Sequence, residues 1–201
     1  MFSVFSRISV NRLSAPWLLT LVVVLVGCAQ APAASTGTPV PAVSSSPPGG
    51  VFVSKLYPYS IKLPAGWIAR GALEPWLGDG APAIDDAAVD LFGPVGVDTS
   101  FASAVRTSSS LATWVAKGIA MNYQVHSSDC PQKPEVVEPV TIGGQPGTLE
   151  QMNCGILINT AFTVFNGYGY RFGFRDVAVH AATDPADKAT FTTMLASVVF
   201  H

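Results

Sequence analysis

Charged side chains are scarce in this chain of 201 residues, where Asp, Glu, Lys and Arg together make up only 12%. That share is about half of what soluble proteins usually carry. Hydrophobic residues make up 49% of the chain, so it is not a disordered polyelectrolyte. The formal net charge is −2 and no long basic run is present. Counterion release on nucleic acid needs such basic residues, and we therefore expect no nucleic-acid partner.

The N-terminal region also lacks an apolar run long enough for a membrane-spanning helix. Its apolar run covers residues 17–26, whereas a spanning helix needs about 20 residues. The run follows a start that contains Arg7 and Arg12 and no acidic residue. These features are typical of a secretory signal peptide, which we predict over residues 1–27. A buried core helix is the alternative, but the following segment offers nothing to pack against it.

The apolar run ends in Leu25, Val26, Gly27 and Cys28. This tetrapeptide resembles the lipobox of bacterial lipoproteins, in which the cysteine is diacylated and becomes the mature N-terminus. The resemblance implies that Cys28 is the lipid attachment site, and two acyl chains suffice for stable anchoring. A chance cysteine in an ordinary signal peptide is the alternative. The prediction is a lipid-anchored protein of the cell membrane that faces outside the cytoplasm.

Residues 28–50 contain Cys28 and a segment rich in Pro, Ala and Ser, without charged or aromatic residues. Such a composition cannot bury enough apolar surface to offset the entropy of ordering. We therefore predict a disordered tether with an average span of about 25 Å. Loss of Arg7 and Arg12 with the signal leaves nine basic residues against thirteen acidic ones. The acyl chains, rather than positive charge, are thus expected to hold the protein on the bilayer.

Residues 51–201 are predicted to form a single α+β domain with an antiparallel sheet flanked by helices. Helices are expected after Ser110 and after Asp184, which are both good N-caps. In the strand at 167–175, four aromatic residues alternate with Gly and Arg. We expect the aromatic face to meet helices and the glycines to permit twist or close approach of another element. The other extended segments are predicted at 59–63, 67–70, 87–92, 99–107, 136–137, 140–142, 148–153, 156–165 and 197–200.

Three segments of this domain resemble the PsbP-like family, whose namesake is an extrinsic subunit of the photosynthetic oxygen-evolving complex. They are YSIKLPAGW at 59–67, VTIGGQPG at 140–147 and FTTMLASVVF at 191–200. With the strands between them, the resemblance covers residues 52–201. It implies an antiparallel sheet flanked by helices and frequent lipoprotein members. It also implies roles in binding other proteins or hydrophobic ligands, and no shared catalytic residues.

Two cysteines, Cys130 and Cys154, remain once Cys28 is assigned to lipid. Disulfides persist in exported chains, because the compartments outside the cytoplasm are oxidising. We therefore predict a disulfide between Cys130 and Cys154. A pair of free, reactive thiols is the alternative.

Candidate catalytic and metal-binding residues do not form a recognisable motif. His126, Asp129 and Cys130 offer three ligand types, but their spacing is not that of a zinc site and the predicted disulfide removes one. His180 follows Asp176 by four residues, yet a catalytic triad is defined by geometry. No nucleophile elbow and no HExxH motif are present. We expect no catalytic residue, no metal and no cofactor.

The segment from Leu73 to Asp90 is acidic and also contains Trp76 and Leu77. Calcium binding is an alternative to a solvated loop, although the EF-hand spacing is absent. Aromatic residues in loops are enriched at partner surfaces, so Trp76 and Leu77 are candidate partner contacts. The alternative for Trp76 is a plug at the edge of the core. The acidic residues are Glu74, Asp79, Asp85, Asp86 and Asp90.

These features favour a non-catalytic binding module that is exported, lipid-anchored and docked on an envelope protein or complex. The alternative is a carrier that holds a small apolar ligand against the aromatic sheet face. A hydrolase is the least favoured function, because no nucleophile with a base and an orienting acid can be found.

Overall fold

A computed structural model describes residues 47–82, 86–125, 130–175 and 185–201. Strands in this part of the chain form two antiparallel sheets, and the α+β class and single domain are confirmed. The predictions for residues 1–46 lie outside the described residues. The elements are β1 (Val51–Val53), β2 (Tyr59–Lys62), β3 (Trp67–Arg70), β4 (Asp90–Pro94), β5 (Ser100–Arg106), α1 (Leu111–Val125), β6 (Val136–Ile142), β7 (Gln145–Asn153), β8 (Leu157–Phe165), β9 (Tyr168–Arg175), α2 (Pro185–Ala196) and β10 (Val199–Phe200).

The larger sheet has seven strands in the order β3-β4-β5-β9-β8-β7-β6, and the smaller sheet has the order β1-β2-β10. The smaller sheet forms because the last strand of the chain returns to pair with β2, where Val199 lies opposite Ser60. Among the described residues, no helix combines the length and the apolarity that crossing a bilayer requires.

The aromatic face of β9 is covered by two different elements. Phe174 contacts Phe191 of α2, with ring centroids 5.5 Å apart, as the expected helix contact requires. The smaller sheet covers the rest of this face, because Tyr59 contacts Phe172 at 5.5 Å and Phe200 contacts Tyr170 at 4.6 Å. The expectation that this face meets a helix is therefore confirmed at Phe174. A second sheet supplies most of the covering rings.

Helix α1 covers the opposite face of the larger sheet and depends on two glycines. Ser110 caps it, since its Oγ accepts a hydrogen bond of 3.2 Å from the amide of Thr113. The indole of Trp114 lies directly on Gly169, where an added Cβ would be 2.5 Å from the ring. A Cβ added to Gly118 would likewise be 2.2 Å from the ring of Phe162. This confirms that a glycine of β9 permits close approach. The predicted cap Asp184 lies outside the described residues.

The predicted disulfide between Cys130 and Cys154 is present and joins the segment after α1 to the end of β7. We expect the double substitution Cys130→Ser and Cys154→Ser to lower the free energy of unfolding by about 2–4 kcal/mol. The bond crosslinks residues 24 apart, which restricts the unfolded chain. Urea unfolding of the variant and of the reduced wild type measures this loss. Identical midpoints with and without reductant would contradict it.

Candidate binding surface

The loop between β3 and β4, which we call the β3–β4 loop, spans residues 71–89 and is described except for residues 83–85. Its two ends are joined by backbone hydrogen bonds. The amides of Leu73 and Glu74 both donate to the carbonyl of Ala87, at 2.8 and 3.2 Å. The amide of Ala72 donates to Oδ1 of Asp90 at 2.7 Å. The residues at which the loop leaves the larger sheet are therefore hydrogen-bonded to those at which it returns.

Two aromatic residues, Tyr57 of the β1–β2 hairpin and Trp76 of the loop itself, fix the middle of this loop to the core. The hydroxyl of Tyr57 donates to the carbonyl of Ala88 at 2.5 Å and accepts from the amide of Trp76 at 3.0 Å. Burial raises the pKa of Tyr57 to about 12, so the hydroxyl stays protonated and remains a donor at neutral pH. The indole of Trp76 packs 5.9 Å from that of Trp114, and its Nε1 donates to the carbonyl of Gly80 at 2.8 Å.

Trp76 is only 6% exposed, which matches its interpretation as a plug of the core edge. Leu77, the next residue, is 76% exposed, and Leu73 is 61% exposed. Glu74 and Asp79 are exposed beside these two leucines. The structure thus separates the two predicted contact residues. Leu77 lies at the surface, where a partner can reach it, and Trp76 supports the loop from inside.

The predicted acidic residues of this loop do not share one environment. Asp90 is completely buried at the start of β4, where its Oδ2 accepts a hydrogen bond of 2.7 Å from the hydroxyl of Tyr59. Burial raises the pKa of Asp90, although the hydrogen bonds that it accepts oppose this shift. Asp86 accepts from the amide of Ala88 at 3.0 Å, and Asp85 lies outside the described residues. Within the described ranges, no three metal-ligating side chains come together.

A buried polar cluster beneath α1, which the sequence analysis missed, reaches the same loop. The side-chain amide of Asn122 donates to Oε1 of Glu150, and its oxygen accepts from Nη2 of Arg171 at 2.5 Å. Nη1 of Arg171 donates to the carbonyl of Pro82 at 3.2 Å. The guanidinium also lies over the ring of Phe101, 4.6 Å from its centroid. Arg171 therefore ties the β3–β4 loop to the core.

The hydrogen bonds and charges around Glu150 and Arg171 do not fully offset the cost of burying these two ionisable groups. Burial raises the pKa of Glu150 to about 7, although the Asn122 hydrogen bond and the charge of Arg171 oppose this shift. Burial lowers the pKa of Arg171 to about 10, and the charge of Glu150 opposes that change. Within the described part of the chain, Oε2 of Glu150 and Nε of Arg171 lack a hydrogen-bond partner. Asn122 bridges the pair, which does not form a direct salt bridge.

The ligand-carrier alternative needs space beside the aromatic face of β9. Tyr170 and Phe172 on that face are buried and contact the rings of Phe200 and Tyr59. A groove of about 720 Å³ lies elsewhere, between the β2–β3 turn and α2, and small residues such as Ala189 line it. Within the described ranges, the rings of Tyr170 and Phe172 are thus covered by side chains of the smaller sheet. Asp176 and His180, considered for a hydrolase, lie outside the described residues, as do His126 and Asp129.

Comparison with known proteins identifies the fold. No protein-family profile and no curated protein matches the sequence. A cyanobacterial PsbP protein, CyanoP from Synechocystis sp. PCC 6803, is 14% identical, with a TM-score of 0.50. The similarity covers 82% of this chain and 96% of CyanoP. A protein of Bacteroides thetaiotaomicron VPI-5482 is 12% identical over 76% of this chain, with a TM-score of 0.45, and this chain spans 48% of it.

At this level of identity, the likeness to CyanoP shows the fold alone. The class is therefore an α+β protein with antiparallel sheets, two described helices and a PsbP-like fold, as the sequence resemblance implied.

Proposed function

We propose that this protein is an exported, lipid-anchored binding module without catalytic function, which docks an envelope protein or complex through the β3–β4 loop. The observation that carries the proposal is the exposure of Leu73 and Leu77 on a loop that buried residues hold in place. A loop fixed in advance loses little conformational entropy when it binds. Exposed leucines on such a loop are suited to enter a pocket of a partner protein.

The charge of the loop defines the chemistry of the partner. Glu74 and Asp79 are exposed on either side of Leu77, and residues 71–89 contain no Lys or Arg. An interface with complementary potential would surround the leucine pocket with basic residues. We therefore propose a partner with an apolar pocket and a basic rim.

Two features support export and anchoring. The disulfide between Cys130 and Cys154 is of the kind that persists in oxidising compartments. The signal-like N-terminus ends in Cys28, the predicted acylation site, and a low-complexity segment separates it from the first strand. An alkyne fatty acid fed to the producing bacterium is expected to label the wild type and leave Cys28→Ala unlabelled. Equal labelling of the two proteins would contradict the anchor.

The docking loop is tested by replacing one leucine in the anchored protein. In-situ crosslinking of the wild type identifies the partner protein. We expect Leu77→Asp to reduce crosslinking to that partner by roughly tenfold or more, because a charge would enter the proposed apolar pocket. Val137→Asp is the matched control, since Val137 is also an exposed apolar residue, at 55%, but lies on β6. Mass spectrometry of the captured complexes and thermal melting of both variants complete the experiment. Equal capture by both variants would contradict the role of the loop.

A further inference from the structure

The outer face of the smaller sheet exposes apolar side chains where a solvated sheet face would carry polar ones. Val51, Val53 and Val199 are 60%, 57% and 55% exposed. Val53 and Val199 flank Ser60 in one register row, and Val51 lies opposite Lys62 in the next. We call these three residues the valine face. The inward side chains of the same strands are buried in the core and include Phe52, Tyr59 and Ile61.

The charge around the valine face differs in sign from that of the whole protein. All thirteen acidic residues of the chain lie between Glu74 and Asp187. The smaller sheet and its β1–β2 hairpin therefore contain no acidic residue, but they contain Lys55 and Lys62, which are both exposed. Asp90, at the start of β4, bonds to Tyr59 on the buried side of this sheet. The outer face thus combines apolar side chains with positive charge.

The valine face also lies where the predicted tether enters the domain. Residues 28–50 end immediately before Val51, the first residue of β1. Two backbone hydrogen bonds fix this entry point, because the amide of Gly49 donates to the carbonyl of Trp67 and the amide of Leu63 donates to that of Gly50. A tether anchored at its other end would place this entry point about 25 Å from the lipid on average. The larger sheet lies between the smaller sheet and α1. The β3–β4 loop contacts both sides, because Trp76 packs on Trp114 of α1 and the amide of Trp76 donates to the hydroxyl of Tyr57 in the β1–β2 hairpin.

We propose that the valine face docks on a bilayer surface that contains anionic phospholipids. Val51, Val53 and Val199 enter the headgroup region, and Lys55 and Lys62 pair with lipid phosphates. The proposal rests on the anchor at Cys28, which supplies the high local concentration of lipid that so small a surface needs. Docking in this orientation turns the α1 side of the larger sheet away from the membrane.

The test uses the full processed protein, reconstituted in vesicles of equimolar phosphatidylglycerol and phosphatidylcholine. Val53→Cys carries an environment-sensitive fluorophore, and Leu77→Cys with the same label is the matched control. We expect a water-soluble quencher to act roughly fivefold more slowly on the label at position 53, because lipid headgroups cover it. Pure phosphatidylcholine vesicles, or the added pair Lys55→Gln and Lys62→Gln, are expected to remove this protection.

Each other outcome overturns the proposal in a different way. Equal quenching at positions 53 and 77 in protein that floats with the vesicles would contradict the docking and leave the anchor intact. Protein that fails to float would contradict both. The label at position 53 could also stay protected in detergent solution while light scattering gives a doubled mass. That result would show that a second copy covers the valine face.

Discussion

Replacement of Trp76 by alanine is expected to lower the free energy of unfolding by about 3–5 kcal/mol, the range measured for large aromatic residues in protein cores. The side chain is 6% exposed and packs on Trp114. Its loss would open a cavity beside that indole and leave the carbonyl of Gly80 without its hydrogen bond of 2.8 Å. Urea unfolding followed by circular dichroism measures the change.

The matched control for this prediction is the neighbouring substitution Leu77→Ala. Leu77 is 76% exposed, so its truncation is expected to change stability by no more than about 0.5 kcal/mol. If the two variants unfold at the same urea concentration, Trp76 does not support the core as the structure indicates. The comparison also decides which residue can test binding. Partner loss in Trp76→Ala would follow from a displaced loop, whereas partner loss in Leu77→Asp reports on the contact.

Much of the fold was predictable because periodicity records which face of an element is buried. The N-cap residue Ser110 predicted where α1 begins, and the alternation at 167–175 predicted β9 with two distinct faces. The glycine at position 169 was predictable as a place of close approach. These signals are local, since each lies within a single helix or strand.

The smaller sheet was not predictable because it depends on a pairing between distant parts of the chain. Strand β10 has only two residues, and they pair with β2, about 140 positions earlier. Neither strand shows in its own sequence which strand it will join. For this reason the sequence predicted the helix contact of the aromatic face but not the second sheet that covers the rest of it.

The candidate site was predictable only in part. Composition singled out the acidic loop with Trp76 and Leu77, but it could not show which of the two side chains is buried. The cluster of Asn122, Glu150 and Arg171 was missed, although a signal for it exists. Glu150 and Arg171 are buried in β7 and β9 under α1, where a charged residue is unusual and needs a partner.

Substitution of Glu150 by glutamine is expected to stabilise the protein at neutral pH and to flatten its pH dependence. Burial raises the pKa of this carboxyl group from 4.5 in the unfolded chain to about 7 in the folded one. The folded state therefore binds the proton more tightly than the unfolded state does. The resulting stability is fully present below pH 4.5 and is lost as the pH rises to about 7. At 1.36 kcal/mol per pH unit, the loss amounts to about 3 kcal/mol.

Glutamine resembles the protonated form, because its oxygen can still accept from Asn122 and it carries no charge at any pH. We therefore expect Glu150→Gln to match the wild type at pH 4.5 and to exceed it by about 2–3 kcal/mol at pH 8. Urea unfolding across this range measures both curves. Glu135→Gln is the control, because it removes one negative charge from an exposed position. Parallel curves for wild type and Glu150→Gln would mean that Glu150 is ionised in the core at neutral pH without penalty, and that Arg171 compensates it fully through Asn122.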